Sequence, residues 1–423
     1  MVNRTSGCRC VATVVFALLA IVSSSITTAQ KISVWLPPAY SAESPSAQVL
    51  RQFADEFVAS HPGREIEFVT ADEEALLVAI AANVPPNGLI HTPGPILKLI
   101  ETGVAVPLDD LDREIDQIKV DLFTALLEEY SRQGKLYAMP ILLNTVILIK
   151  NGAIFQQTGL PMMPIRTWED VRSMARRMTQ DLNGDGQNDR WGLPVQINPS
   201  EIWEIQYLQH GGTWLDASMR PDIDNEAGMA ATQFYIDAVH VDRFSPIVNT
   251  RGNSRTMFMN NQAGMWVQPS GVGAFTGGEA CNCAFETQGL PVADRPANIT
   301  TGVRAVVLDT PLARETWEFL KYATSPRNLA RFSVANNGTM VARRSSYETD
   351  EWMAQASQSP WLRPDALPAE LSNIVGRPSF VGIYEGEINR TIREMLRAVL
   401  EGTLSPDAGL IQAEQAIGAL LER

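Results

Sequence analysis

Hydrophobic positions after residue 30 alternate between strand spacing and helix spacing. Residues 31–37 (KISVWLP) form an apolar run typical of a buried strand, and Leu50, Phe53 and Phe57 then repeat at helical spacing. The unit recurs, with strand-like runs at 65–70 and 88–92 on either side of a helix-like run at 73–83. This alternation predicts an α/β fold, with a parallel or mixed sheet wrapped by helices.

The carboxyl ends of such strands are where ligands bind in open α/β sheets. We therefore expect functional side chains in the loops after Trp35, Thr70 and His91. Residues 137–151 (YAMPILLNTVILIKN) differ from these short runs, because they are long, apolar and β-branched around a single internal amide, Asn144. Such a segment predicts a strand that crosses from one lobe of the protein to another.

The N-terminal residues have the pattern of a secretory signal. Arg4 and Arg9 precede an apolar run at 11–22, and Thr27-Thr28-Ala29 offers small residues for cleavage. The run is shorter than the roughly 20 residues that a transmembrane helix needs. We expect cleavage near Ala29 and a periplasmic chain of 394 of the 423 residues, a size that favours two lobes.

Charge excludes some partners. From residue 30 onward the chain carries 32 basic and 48 acidic side chains, a formal net charge of −16. Such a surface repels nucleic acid and anionic lipid, so neither is an expected partner. The acidic residues are spread along the chain and not gathered in a tail. The need for solubility is enough to explain this acidity.

Cysteine and histidine give no metal framework. Cys281 and Cys283 remain after the signal, and a disulfide and two free thiols both stay open for so short a spacing. The four histidines are scattered, so nothing has the spacing of a zinc site.

Catalytic signatures are absent from the sequence. There is no GxSxG, HExxH, GxxxxGK[ST] or strand-borne GxGxxG motif. Carboxylates are numerous, so a glycosidase-like pair stays open as an alternative. We predict a protein that is not an enzyme.

Aromatic residues stand beside polar ones at predicted element ends. The clearest cases are Trp35, Trp203, Trp266 and Tyr384. A sugar needs aromatic planes for its C–H faces and carboxylates or amides for its hydroxyls, so these residues are candidate ligand contacts. Core packing is the alternative for each of them.

The segment 179–195 (TQDLNGDGQNDRWGLPV) contains an acidic loop. Asp181, Asn183, Asp185, Gln187 and Asp189 occupy positions 1, 3, 5, 7 and 9 of a calcium loop, with glycine at the turn. Position 12 is a glycine where a calcium sensor has glutamate, and a strand pattern follows. A structural calcium site and an ion-free turn both remain, since Asn, Asp and Gly also favour turns locally.

A series of segments along the chain has a recognisable order: KISVWLP, VLRQFADEFVASHPG, GVAVPLDDL, GKLYAMPILLNTVILIKNGAIFQQTGLP, TWEDVRSMARRMT, DLNGDGQNDRWGL, MFMNNQAGMWVQPSG, TWEFLKYATSPRNLARFSVANNGTMVARRSSY and VLEGTLSPDAGLIQAEQAIGALL. Through these segments essentially the whole mature chain resembles the extracellular solute-binding proteins of ABC importers, in the sugar-binding class that includes maltose- and glycerol-3-phosphate-binding proteins. The order and spacing of the segments together are more specific than any one of them.

The resemblance implies a two-lobe, hinge-linked fold with ligand held in the cleft. Lobe one would comprise 30–140 plus 303–345, and lobe two 146–297 plus 350–423. The hinges would lie near 138–148 and 298–304. Contacts from the ligand to both lobes would favour the closed state.

The resemblance also implies ligand contacts at aligned positions. These are Asp72, Glu73, Thr92, Asn144, Trp203, Ser270 and Gly302. Where glycerol-phosphate binders have a tyrosine this chain has Thr339, and Val381 or Tyr384 stands near the place of their phosphate-binding arginine. Arg304 and Arg377 are alternative anion contacts, but the departures favour a neutral or oligomeric sugar. Relatives that bind calcium at such a loop strengthen the structural-calcium alternative.

The sequence therefore predicts a monomeric periplasmic protein that delivers a sugar, oligosaccharide or polyol to an ABC permease, with no cofactor beyond the structural calcium considered above. A secreted carbohydrate-active enzyme, a binder of glycerol 3-phosphate or phosphodiesters, and a protein serving a chemoreceptor are the alternatives.

Overall fold

The computed structural model describes residues 30–270, 285–358 and 370–422. The predicted signal segment and the cysteine pair 281 and 283 lie outside these ranges. The strands are Gln30–Leu36 (β1), Arg64–Thr70 (β2), Gly88–His91 (β3), Ser131–Arg132 (β4), Lys135–Leu136 (β5), Ala138–Asn151 (β6), Met265–Pro269 (β7), Phe285–Gln288 (β8), Thr300–Val307 (β9) and Met340–Val341 (β10).

Helices surround these strands. They are Pro45–Ser60 (α1), Glu73–Ala81 (α2), Pro93–Glu101 (α3), Leu108–Leu111 (α4), Ile115–Asp121 (α5), Thr124–Tyr130 (α6), Gly152–Thr158 (α7), Trp168–Met178 (α8), Glu201–Gln209 (α9), Glu226–Ile236 (α10), Arg251–Met259 (α11), Ala313–Ala323 (α12), Pro326–Ala335 (α13), Asp350–Gln358 (α14), Ser379–Ile383 (α15), Glu385–Leu400 (α16) and Pro406–Leu421 (α17). The predicted α/β class is confirmed. The strand predicted at 191–195 is not a named strand: Trp191 and Gln196 form only isolated bridges, to Ala263 and Val248.

The main sheet is mixed, with the strand order β10-β6-β9-β3-β1-β2. β1 pairs in parallel with β2 and β3, whereas β9 runs antiparallel to both β3 and β6. The parallel part arises from the strand–helix–strand repeat read in the sequence, because each helix returns the chain to the same end of the sheet.

One strand belongs to two sets of pairings. Residues 138–145 of β6 pair with β9, and β10 joins β6 at Leu142 and Leu143. Beyond Val146, the same strand pairs with β7 and β8. Asn144 therefore lies where the two sets of strands meet, on a segment that is otherwise buried.

The buried side chains form two main clusters. The first contains Ile32, Val34 and Leu89 of the parallel strands, and the second contains Val146 and Leu148 of β6. Helices α8, α9, α10, α16 and α17 all contribute to the second cluster. Two such cores fit the size of the chain, which exceeds what one core usually holds.

Helix α14 departs from the expected division of the chain. Trp352 and Ala356 pack against Ala330 of α13, so this helix joins the first group of elements. Ile374 then forms a bridge with Asn298, and the chain re-enters the second core only from Phe380. The expectation that lobe two resumes at residue 350 is corrected for this helix, because its apolar face is covered by α13.

Within the described ranges, none of the helices is both long and apolar enough to cross a bilayer.

The effect of substituting Gly302 depends on how closely the backbones of β6 and β9 approach each other. Its φ is +123°, and a Cβ there would lie 2.0 Å from the Leu142 carbonyl oxygen. Gly134 also has a positive φ, +79°, but nothing lies within 4 Å of its Cβ position. We expect Gly134→Ala to lower the free energy of unfolding by about 1 kcal/mol through backbone strain alone. Gly302→Ala should cost about 2 kcal/mol more, because the strands must separate. Denaturant unfolding measures both, and equal losses would contradict this account.

Candidate functional site

The candidate site lies where β6, β7 and β9 meet. Asn144 pairs with Thr301 in the register of β6 and β9, and the Ser270 amide donates to the Thr145 carbonyl at 2.7 Å. In the same sheet, Arg304 of β9 is the register partner of His91 at the carboxyl end of β3. The strand order therefore brings together residues that are far apart in the chain.

Buried polar atoms without hydrogen-bond partners are concentrated at this junction. They are Asn144 Oδ1, Thr145 Oγ1, Gln268 Oε1, Ser270 Oγ, His91 Nε2 and all three side-chain nitrogens of Arg304. We call His91, Asn144, Thr145, Gln268, Ser270 and Arg304 the polar cradle. Leaving a buried donor or acceptor unsatisfied costs about 1–3 kcal/mol. A solute with hydroxyl and acceptor groups would satisfy them.

Arg304 is the most unusual member of the cradle. Its side chain is fully buried, and its guanidinium carbon lies 5.3 Å from the centre of the Tyr130 ring. Tyr130 donates its hydroxyl to Glu129 at 2.9 Å, and burial raises the pKa of Tyr130 well above its usual value. The phenol therefore stays neutral, and both its ring and its hydroxyl group lie beside the Arg304 cation.

His91 presents one ring nitrogen to the cradle. Its Nδ1 lies 3.0 Å from Thr92 Oγ1, and its Nε2 has no partner. Burial lowers the pKa of His91, although the nearby Glu73 carboxylate opposes the shift. The imidazole is therefore neutral at pH 7, and Nε2 is available to a solute.

A second polar group lies at the start of α9 and α11. The Gln196 side chain is 1% exposed, and neither of its polar atoms has a hydrogen-bond partner. Nε of Arg251 also lacks a partner. Glu201 forms an ion pair with Arg251 at 2.5 Å, and the Arg251 amide donates to the Asn198 carbonyl. None of these residues was predicted. The signal that could have identified Gln196 was its place immediately after the strand-like run 191–195.

Several predicted contacts lie in or beside the cradle. Asn144 and Ser270 belong to it, and Thr92 holds the His91 ring. Glu73 is near His91 but forms an ion pair with Lys98 at 2.5 Å. Asp72 is exposed and accepts from the Ala75 amide at 2.9 Å, so it serves as the N-cap of α2.

Trp203 and Trp266, two of the three tryptophans predicted as ligand contacts, are core residues, which corrects their assignment; the third, Trp35, is partly buried and packs against the first core. Trp203 is fully buried, stacks on Tyr207 at 5.2 Å and donates its indole N–H to Thr232. Trp266 is equally buried and donates to Ser254 at 3.1 Å. Each indole already has its polar partner, so neither ring face nor N–H is open to a ligand.

Three other predicted positions have local roles. The Thr339 hydroxyl donates to the Asn336 carbonyl at 2.8 Å, so it belongs to a turn and not to the cradle. Tyr384 is partly buried at the junction of α15 and α16, packed against the second core. Gly302 leaves room for the Arg304 side chain, because a Cβ at this position would lie 3.3 Å from Nη1 of Arg304 on the same strand.

Arg377, unlike Arg304, is fully engaged. It forms two parallel hydrogen bonds with Glu204, at 2.8 and 2.6 Å, and a third with Glu385 at 3.0 Å. Burial lowers its pKa and the two carboxylates raise it, with a net upward shift. Burial also raises the pKa of Glu204, against the charge of Arg377. These contacts argue against the alternative role of Arg377 as an anion contact, because two carboxylates already neutralise it and each of its three nitrogens already donates once.

The acidic loop uses its carboxylates on its own backbone. Asp181 accepts from the Gly184 and Gly186 amides, at 2.6 and 2.8 Å, and these bonds lower its pKa. Asn183, Asp185 and Asp189 likewise accept loop amides. Among the described residues no group of three or more Asp, Glu, His or Cys side chains is arranged to hold a metal. Calcium binding through this loop stays a prediction, with the ion-free turn as its alternative.

Known proteins similar to this chain bind small solutes. A family model described as bacterial extracellular solute-binding protein matches residues 41–330. A mannitol-binding protein of Pseudomonas aeruginosa is 21% identical over 413 residues, covering 88% of this chain and 90% of that protein. A maltotriose-binding protein of Pyrococcus abyssi is 24% identical over 211 residues, which cover 49% of this chain and 43% of that one.

The fold has close structural counterparts. The sugar-binding protein MalE from Xanthomonas citri superposes with a TM-score of 0.79 at 18% identity, covering 93% of this chain and 98% of that one. At that identity the similarity establishes the shared two-lobe architecture. The roles of the cradle residues rest on the contacts within this chain.

The ion pair of Arg377 predicts a strong stability effect. Arg377→Met leaves Glu204, whose side chain is 10% exposed, buried without its cation. We expect a loss of about 3–5 kcal/mol in the free energy of unfolding. Arg327→Met is the control, because that side chain is 75% exposed and its pair with Glu351 should contribute less than about 1 kcal/mol. Denaturant unfolding decides, and similar losses in both variants would contradict the assignment.

Calcium binding by the acidic loop is tested separately. If the loop binds the ion, millimolar calcium should raise the melting temperature of the wild type, and Asp181→Ala should abolish the rise. An equal rise in both proteins would place calcium elsewhere. No rise in either would leave the loop as an ion-free turn.

Proposed function

The chain belongs to the bacterial extracellular solute-binding proteins, and we propose that it captures a carbohydrate-like solute between two lobes and delivers it to the permease of an ABC importer. The polar cradle carries this proposal. It gathers unsatisfied donors and acceptors from four strands, β3, β6, β7 and β9, at the place where the two groups of elements join. The solutes named for its relatives, mannitol and maltotriose, present the hydroxyl groups that such a cradle suits.

The composition of the cradle supports a hydroxylated solute. Asn144 and Gln268 offer carbonyl oxygens as acceptors, and Ser270 and Thr145 offer hydroxyls that both donate and accept. A sugar or polyol can bond to each of them in turn. Recognition through aromatic stacking has less support than the sequence suggested, since Trp203 and Trp266 are enclosed in the core.

The placement of the cradle supports a hinge mechanism. Asn144 stands on the strand that passes between the two groups of elements, while Gln196 and Arg251 belong to the second group alone. A solute that bonds to both would draw the groups together and stabilise a closed form. Under this proposal the protein acts as a monomer, is exported to the periplasm after cleavage near Ala29, and releases its solute unaltered.

A secreted carbohydrate-active enzyme is the competing function. Among the described residues, the acidic side chains nearest the cradle are already engaged: Glu73 with Lys98, and Glu129 with Tyr130. A glycosidase needs one carboxylic acid and one carboxylate facing the same bond. The cradle has amide, hydroxyl, imidazole and guanidinium groups instead, which bind without cleaving.

Solute binding is tested by calorimetry on the mature protein with a panel of sugars, oligosaccharides and polyols. We expect saturable binding without turnover, and a fall in the radius of gyration by small-angle X-ray scattering when the solute is bound. A ligand at a hundred times its dissociation constant should stabilise the fold by about 2.7 kcal/mol. Conversion of a panel member to product would contradict the proposal, as would the absence of any binding.

The cradle residues are tested against a matched structural serine. Asn144→Ala and Ser270→Ala should each weaken solute binding about threefold to tenfold with little loss of stability, because neither atom has an internal partner. Ser333→Ala should do the reverse, since its hydroxyl donates to the Thr339 carbonyl at 2.5 Å. If all three variants lose stability and keep affinity, the cradle is not the binding site.

A further inference from the structure

Arg304 has the properties of a binding group whose partner is not part of the chain. Its side chain is completely buried, and none of its three nitrogens has a hydrogen-bond partner. Buried charges in proteins are normally paired, because removing a cation from water is costly and only an opposite charge or several hydrogen bonds offset that cost. The other buried arginine near the second core, Arg377, obeys this rule with three bonds to two carboxylates.

The surroundings of Arg304 do not neutralise it. Tyr130 offers the face of a neutral ring, with the guanidinium carbon 5.3 Å from the ring centre. Glu129 precedes Tyr130 in the chain, and its Oε1 already accepts the Tyr130 hydroxyl. His91 of β3 is the register partner of Arg304, and burial keeps its imidazole neutral. A ring face holds a guanidinium in place without using its in-plane N–H groups, which therefore stay open.

The backbone beside Arg304 is shaped to admit it. Nη1 lies 3.3 Å from the place that a Cβ of Gly302 would occupy. Glycine at this position thus leaves room for the guanidinium next to the crossing of β6 and β9, beside Leu143 and Asn144. The guanidinium is enclosed there, because the Arg304 side chain is fully buried.

We propose that Arg304 binds an anionic group of the solute, a carboxylate or a phosphate, so that the preferred ligand is an acidic sugar or a phosphorylated polyol. The inference rests on the proposed solute-binding function and narrows its ligand class. It also revises the expectation of a neutral sugar, which rested on the absence of a known phosphate-binding arginine at another position. A guanidinium fork matches either anion with two parallel hydrogen bonds, and the neutral amides and hydroxyls of the cradle serve the remaining hydroxyl groups.

A first consequence concerns the protein without ligand. If Arg304 exists to bind a solute, its unpaired charge destabilises the empty protein, so Arg304→Met should raise the melting temperature or leave it unchanged. If Arg304 is structural, the same substitution should lower it. Arg327→Met, at an exposed site with 75% side-chain exposure, is the control for changing one surface charge.

The decisive test compares matched acidic and neutral solutes by calorimetry. The pairs are D-glucuronate with D-glucose, D-galacturonate with D-galactose, and glycerol 3-phosphate with glycerol. We expect the wild type to bind at least one acidic member about a hundredfold more tightly than its neutral counterpart, and Arg304→Met to lose that preference. Arg304→Lys should retain part of it, because the charge remains and the fork is lost.

The outcomes separate the inference from the function on which it rests. Carboxylate and phosphate members distinguish the two sources of the anion. If a neutral member binds as tightly as its acidic counterpart and Arg304→Met leaves that binding unchanged, the inference is overturned and solute binding stands. If no member binds, the proposed function fails and the inference fails with it. A lower melting temperature for Arg304→Met with an unchanged acidic preference also overturns it, since the arginine would then be structural.

Discussion

The architecture depends on a single strand that serves two sets of neighbours. β6 satisfies its backbone groups with β9 and β10 before Val146 and with β7 and β8 after it. Because the backbone of a buried strand must be hydrogen-bonded throughout, the two groups of elements cannot separate without breaking this ladder. In the hinge mechanism proposed above, rotation about this strand would keep the distance between the lobes and change only their angle.

The junction on this strand differs chemically from the rest of the interior. Gln209 and Gln196 are both about 1% exposed. Gln209 makes four hydrogen bonds, to Trp168, Ala293, Pro291 and Ala297. Gln196 makes none with its side chain. The chain can therefore satisfy a buried amide. Most of the buried atoms that it leaves unsatisfied belong to the polar cradle or to the group around Gln196 and Arg251. Such residual cost is typical of sites whose partner is a ligand.

Two buried arginines show the same contrast for charge. Arg377 is held between Glu204 and Glu385 and contributes to the packing of the second core against the returning chain. Arg304 has a neutral ring on one side and no acceptor on its edge. In a structural ion pair the two charged groups satisfy each other, whereas a binding site has donors that stay unpaired until the solute binds. This distinction requires geometry, since both residues are simply arginines between apolar neighbours in the sequence.

The amino-acid sequence determined the α/β class and the crossing strand. Strand and helix periods are local properties, and the long apolar run around Asn144 allowed few other structures. Asn144 could be singled out because it interrupts an apolar strand, whereas Ser270 was expected only from the family resemblance. Only the tertiary structure decided which aromatic residues are buried, that Thr339 belongs to a turn, and that α14 packs on α13. It also decided the roles of Arg304 and Arg377, because pairing is a relation between residues distant in the chain. Whether a polar group is satisfied depends on neighbours that folding brings together, and no local pattern records them.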